Sequence, residues 1–286
     1  MHDLLTPKQV ANAIDVSESS VKRWCDKGVI PTQYTAGGHR RIALAGLLEF
    51  LRRQQCQVVR PELLGLPSNT GRTNRVIDRA TQQLTEALIS GHEEESRRLV
   101  WDLYLAEHSI SKICDAVIAP AFQTIGSLWE CGAAEVFQER RGCEIALNIL
   151  RELRSVTPIP AGDAPKAIGG ASEGDQYSLA TAMAEIVLRD AKWNAVSLGD
   201  NLPMATLGEA IKTHRPRLFW LSCSHLGDED QFLNEYTQLF DEFGMDVAFV
   251  VGGRALTERL RKRMNYAAFC DNMQHLQSFA QAMVSA

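Results

Sequence analysis

Two stretches of this 286-residue chain hold side chains whose types and spacing could do chemistry. The first is basic: Ser19, Ser20, Lys22, Arg23 and Lys27, then Gly37-Gly38 and His39-Arg40-Arg41. Hydroxyls and cations one helical turn apart suit base edges and phosphates in a DNA groove. A glycine-hinged basic turn beside them suits a neighbouring phosphate or the minor groove. The second set is dispersed: Trp129, Glu139 and Arg140; Asp175, Tyr177 and Ala180; Ser222 with Cys223 and Ser224; and Gly252-Gly253. It contains no Ser/His/Asp set, no paired carboxylates and no phosphate loop, and two adjacent glycines are too short for a nucleotide fingerprint. No reaction is suggested, so the chain reads as a binder and not an enzyme, with no metal site.

The elements that must position the basic set are legible in the same segment. Thr6 is a good N-cap and Pro7 suits a first helical position, so a helix opens there with Val10, Ala13 and Ile14 on its apolar face. Asp15-Val16 make a turn, and Ser17 caps a second helix whose Val21 and Trp24 face inward. Ser19, Ser20, Lys22, Arg23 and Lys27 then point outward, the layout of a recognition helix. The expected head is an all-α winged helix-turn-helix domain over residues 1–56, with a third helix behind the basic turn.

Charge supports this division. Residues 1–60 carry nine Lys/Arg against five Asp/Glu, a surplus of four, which leaves about −9 on the rest of a chain of net charge −5. A basic head on an acidic body confines phosphate attraction to one end. Seven cysteines lie singly, without a C-x-x-C pair, which argues against a disulfide framework or structural zinc. The apolar runs fall far short of the roughly 20 residues of a membrane helix. The N-terminus lacks the basic-then-apolar layout of a signal peptide. A cytoplasmic protein with no membrane partner is expected.

Pro61, Gly65, Pro67 and Gly71 mark a linker over 57–73, and T-P-I-P-A-G-D-A-P marks another over 157–165. Between them, four helices are expected near 74–90, 92–107, 109–130 and 133–155, forming a four-helix bundle over 74–156, with Pro120 kinking the third. Glu93, Glu94 and Glu95 open the second, where negative charge suits the helix dipole. From 166 to 286, short apolar runs alternate with amphipathic segments. Strands are expected at Ala167–Ala171, Ala195–Leu198, Leu218–Cys223, Val247–Val251 and Ala267–Cys270, with helices near 178–192, 204–213, 229–243, 255–264 and 273–284. That alternation predicts an α/β flavodoxin-like (Rossmann-type) domain with a five-stranded parallel sheet and ligands at the carboxyl ends of its strands.

Thr6 to Trp24 with A-G-G-H-R-R-I at Ala36–Ile42 closely resembles the winged helix-turn-helix of MerR-type transcription regulators. With the body, the whole chain resembles the CarA/CarH/LitR group, in which such a head is coupled to a cobalamin-binding module. The resemblance implies a W-x9-E-H motif capping the corrinoid. Here Trp129 and Glu139 stand in register, but Arg140 replaces the His. It also implies D-x-H-x-x-G, whose His coordinates cobalt from below and whose Gly gives room to the corrinoid tail. Here Asp175 is kept, Tyr177 replaces the His and Ala180 the Gly. A phenol with pKa near 10 is a poor cobalt donor at neutral pH beside an imidazole. Ser222 and Gly252-Gly253 resemble further positions of that pocket.

The expectation is a sequence-specific regulator of double-stranded promoter DNA that works without a cofactor and binds as a dimer or higher homo-oligomer. Its degenerate cobalamin-like body would serve as scaffold, oligomerisation surface or protein-docking module. Two alternatives stay open: cobalamin held without a lower ligand, sensing light or the vitamin, and another flat ligand such as haem near Cys223 and His225. Trp129 is equally readable as bundle core.

Overall fold

The computed structural model describes residues 4–54, 56, 58–66, 77–157 and 160–285, and it divides into two compact units, 1–158 and 159–286. The expected helix start at 74–76, much of the first linker and residues 158–159 of the second lie outside the described residues.

The head opens with β1 (Leu4–Leu5) and α1 (Pro7–Ala13). Thr6 caps α1 as its sequence predicts, in a full capping box with Gln9. After a turn at Asp15 (φ +54°), α2 runs Glu18–Asp26 with Ser17 as N-cap. Then come β2 (Thr32–Tyr34), β3 (Arg40–Ala43) and α3 (Leu44–Arg53). The three strands form an antiparallel sheet in the order β1-β3-β2, which corrects the all-α expectation for the head. Strands of two to four residues are too short to show the alternation that marks a strand in sequence. Val10, Val21, Ile30, Ile42, Leu47 and Leu48 are fully buried beneath them, and Trp24 packs on Phe50 at 5.1 Å.

The described part of the first linker is structured. Val59 N and Arg60 N both donate to Ala13 O, at 2.8 and 2.9 Å, and Pro61–Leu64 form a 3-10 turn ending at left-handed Gly65. Helices α4 (Ile77–Ile89), α5 (Glu93–Leu105), α6 (Ile110–Ile113), α7 (Ala119–Glu130) and α8 (Val136–Val156) follow, with α4 packed against α5, α7 and α8. The polar centre of this packing is Glu152. Its Oε2 accepts from Arg97 Nε at 2.6 Å and from the buried Trp101 Nε1 at 3.2 Å, while Arg97 Nη2 reaches Gly65 O at 3.1 Å.

Pro120 acts as its chemistry requires. It can donate no hydrogen bond to Ala116 O, and its ring crowds that carbonyl. The chain answers with a π segment, Cys114–Ile118, between α6 and α7, in which Ala119 N reaches back to Cys114 O. Ala116 O is taken instead by Thr81 Oγ1 of α4, at 2.8 Å.

The second unit alternates strand and helix: β4 (Lys166–Ala171), α9 (Ser178–Asp190), β5 (Asn194–Ser197), α10 (Met204–His214), β6 (Leu218–Ser222), α11 (Glu229–Phe243), β7 (Ala248–Gly252), α12 (Glu258–Arg261), β8 (Ala268–Phe269) and α13 (Met273–Ser285). The sheet is parallel in the order β5-β4-β6-β7-β8, as the strand spacing predicts. The helix expected at 255–264 is only one turn long. One face of the sheet buries Ile168, Phe219, Leu221, Phe249 and Val251 with residues of α10 and α11, such as Leu207 and Tyr236. The other is covered by α9, which packs against α13.

Thr81→Val removes the donor to the partly buried Ala116 O and is expected to cost about 1 kcal/mol, the usual net worth of one hydrogen bond. In a Pro120→Ala background, where a backbone N–H returns to that carbonyl, the cost should shrink. Denaturant unfolding of the double-mutant cycle checks this.

Candidate nucleic-acid interface and candidate ligand site

The outward side of α2 is as the sequence predicts: Ser19, Lys22, Arg23 and Lys27 are exposed and Ser20 half-buried, while Val21 and Cys25 are buried. Ser17 Oγ lies 2.8 Å from Ser19 Oγ and 2.9 Å from Ser20 Oγ, so the cap also holds these two hydroxyls in place. Lys22 pairs with Glu18 at 2.8 Å, an exposed pair that phosphate can displace at little cost.

The basic turn is the loop of a hairpin between β2 and β3. Gly38 N donates to Thr35 O at 2.8 Å, Thr35 N to His39 O at 3.0 Å, and His39 N to Thr35 Oγ1 at 3.1 Å. Gly38 sits at φ +75°, which favours glycine there. His39 is exposed and Arg41 half-buried. Arg40 is committed within the protein: Nε and Nη2 both reach Asp26 Oδ1 of α2, at 2.9 and 2.7 Å, and the guanidinium lies 5.8 Å from the Tyr34 ring centre. The Asp26 carboxylate raises the Arg40 pKa further. Arg40 therefore braces the hairpin against the recognition helix. Asp26 and the exposed Tyr34, both missed in the sequence reading, belong to this interface. An acidic residue on a recognition helix carries no sequence signal until its partner is seen across the fold.

In the helical part of the first unit, Trp129 lies in the last turn of α7 and Glu139 in the first turn of α8. Trp129 is 51% exposed, so the core reading does not hold for it. Val136 and Phe137, at 49% and 71%, extend an apolar surface around the same turn. Glu139 is half-buried, accepts from Cys143 Sγ at 3.7 Å and lies 3.9 Å from the exposed Arg140. Burial, with Glu139 nearby, pushes the Cys143 thiol up to about 12.

In the sheet unit, Asp175, Ser222 and Gly252-Gly253 gather at the carboxyl ends of the strands. Asp175 is buried, and both its oxygens are spent on backbone: Oδ1 accepts from Tyr177 N at 3.0 Å and Oδ2 from Ser224 N. Gly253 sits at φ +114°, and a Cβ there would lie 2.3 Å from Cys223 O; one on Gly252 would lie 2.5 Å from Cys270 O. The fold alone demands both glycines. Tyr177 precedes α9, with Ala180 in its first turn, and both are half-buried. Cys223 is buried, receives Ser172 Oγ at 3.7 Å, and has its thiol pushed up to about 12 by burial. A thiol held protonated is a poor metal ligand, and His225 is exposed on the loop beyond it.

A small cleft of about 220 Å³ opens beside this loop between Ser172, Gly174, Met204 and Phe232, below the ~300–1,000 Å³ of usual ligand pockets. Among the described residues, no cluster of three or more His, Cys, Asp or Glu could hold a metal ion, and no helix is long and apolar enough to cross a membrane. The residues at 175–180 thus offer no imidazole to a metal, and both oxygens of their one carboxylate are taken by backbone N–H groups.

Comparison with known proteins defines the class. Residues 4–55 match the sequence profile of a helix-turn-helix domain, and residues 80–154 that of a B12 binding domain. The chain therefore joins a helix-turn-helix DNA-binding domain to a B12-binding domain. No curated protein matches the sequence. Among solved structures, the monomethylamine corrinoid protein of Methanosarcina barkeri superposes with a TM-score of 0.61 at 15% identity, over 73% of this chain and all of that one, which shows a shared fold. The methanol:cobalamin methyltransferase complex of the same organism aligns at 0.40 and 14% identity, over 77% of this chain and 85% of its own. A cobalamin-binding protein from Desulfitobacterium hafniense DCB-2 aligns at 0.39 and 15%, over 73% and 98%.

Arg41→Ala is expected to weaken DNA binding similarly on all sequences and to reduce the slope of log K against log salt by about one, as loss of one phosphate contact does. Asp26→Ala should weaken binding although it removes a negative charge, because it frees the hairpin. Shift assays at four salt concentrations check both.

Proposed function

We propose that the protein is a sequence-specific DNA-binding transcription regulator of the MerR type, akin to the CarA/CarH/LitR group, and not an enzyme. Its helices α4 to α8 would form the four-helix bundle of the cobalamin-cap type, and its sheet domain would act without B12 as a scaffold, oligomerisation or protein-docking module. The observation that carries the regulatory reading is the joint between head and body. Arg52 of α3 lies 4.2 Å from the Tyr104 ring centre and donates to His108 O at 3.2 Å, so helices of the B12-binding region hold the last helix of the DNA-binding head. Independence from B12 is supported by Tyr177, Ala180 and Arg140 at the three altered positions. Two copies on a pseudo-palindromic site fit the way such heads read DNA.

A second reading, cobalamin held without a lower ligand, is favoured by the match of residues 80–154 to a B12 binding domain. Shift assays on the protein's own promoter fragment, with and without adenosylcobalamin, in dark and light, separate the two. Unchanged binding supports the first reading; a large cobalamin- or light-dependent change supports the second and removes the first.

The joint has its own test. Arg52→Ala should lower DNA affinity about 2- to 10-fold, in line with the loss of one cation–π contact and one hydrogen bond. The salt slope should stay unchanged, because Arg52 orients the head and touches no phosphate. A reduced slope would mean that Arg52 meets DNA directly.

A further inference from the structure

The sheet order reverses between β4 and β6, which lie side by side although β5 separates them in sequence. Open parallel sheets take their ligands in the crevice at such a reversal, outside the carboxyl ends of the strands. On the face covered by α9, β4 presents only Ala167, Gly169 and Ala171, since successive strand residues alternate and Ile168 points into the opposite core. Such a bare strand leaves room for a flat group, and the protein fills it itself. Trp220 of β6 is the register partner of Gly169 and is 3% exposed. A Cβ on Gly169 would lie 2.3 and 2.4 Å from Cδ2 and Cγ of its indole, so the ring lies directly against the glycine backbone. The indole N–H is satisfied as well: Nε1 donates to Thr181 Oγ1 of α9 at 3.0 Å, Thr181 meets Ser197 Oγ of β5 at 3.1 Å, and Ser197 Oγ accepts from Gly199 N at 3.2 Å.

We infer that Trp220 is a built-in occupant of the crevice at the reversal, a flat bicyclic heteroaromatic supplied by the chain in the place where a ligand's heteroaromatic base would insert. The α9 face of the sheet domain is closed to such a base, the benzimidazole of a corrinoid included. Trp220 fills the space beneath α9 into which the crevice would deepen, so an effector of this domain is confined to the shallow loops above it or to the surface. Trp220 is thus a specificity-determining residue, and Gly169 and Thr181 position it. The inference deepens the B12-independent reading and rests on it, yet the two fail in different ways.

The test uses the full-length protein labelled with 5-fluorotryptophan, its five tryptophan signals assigned by single Trp→Phe variants. The Trp220 ¹⁹F signal should show no solvent isotope shift and should not move when 5,6-dimethylbenzimidazole or cobalamin is added. Cobalamin uptake with an unmoved Trp220 signal supports the built-in occupant while overturning the B12-independent reading. Displacement of the Trp220 signal by either probe overturns the occupant. In a second arm, Trp220→Gly, checked for folding by circular dichroism, should bind dimethylbenzimidazole at least about tenfold more tightly than wild type, as vacated aromatic-sized cavities do. A folded variant that takes up no benzimidazole overturns the proposal. If that variant does not fold, the ¹⁹F arm decides alone.

Discussion

The guanidinium of Arg97 is the point on which the first unit turns. It donates to Glu152 of α8 and to the carbonyl of Gly65, which closes the short turn leading away from the head. Glu152 also receives the indole N–H of Trp101, one of the largest buried side chains. A partly buried ion pair of this kind is weak evidence for stability but fixes geometry, since its charges must meet at defined angles and each serves a second partner. Because Gly65 hangs on it, and because Val59 and Arg60 hang on Ala13, the path from α1 to α5 is tied by hydrogen bonds through its described residues. The head thus takes its orientation from the helices behind it.

The sheet unit is organised on another constraint: the loops at its strand ends are pinned to one another. Asp175 binds the backbone on its own loop and on the loop after β6, and Gly253 lets the turn after β7 approach Cys223 within contact distance. Loops held in this way need no ligand to order them. The arrangement accounts for an acidic residue, a serine and two glycines meeting at the carboxyl ends of the strands. Those residues serve the fold first.

Much of this was legible from the chain. The capping signals at Thr6 and Ser17 located α1 and α2, and the apolar runs located all five strands of the second unit; the three central ones, β4, β6 and β7, are buried on both faces and so read as continuous apolar stretches. The head's small sheet was missed because Leu4–Leu5 and Thr32–Tyr34 are too short to carry a period. Arg40 reads in sequence as a contact to phosphate or the minor groove, because its partner Asp26 lies fourteen residues away and is brought near only by the hairpin. Trp129 reads in sequence equally as bundle core or as part of a corrinoid cap, a choice that depends on which way the end of α7 faces. Trp220 gave no warning, since an apolar aromatic in a buried strand looks like any core residue until the glycine opposite it is known.

The exposed clamp between Arg40 and Asp26 has a consequence for how the protein behaves as ionic strength changes. Dissolved ions loosen two things at once: the pull of the head on phosphates, and the brace that keeps the hairpin set before DNA arrives. The first effect is linear on logarithmic axes. The second adds an ordering cost at encounter that grows as the brace slackens. The protein therefore carries a built-in curvature in its response to salt, releasing DNA more steeply at high ionic strength than its count of phosphate contacts alone would dictate.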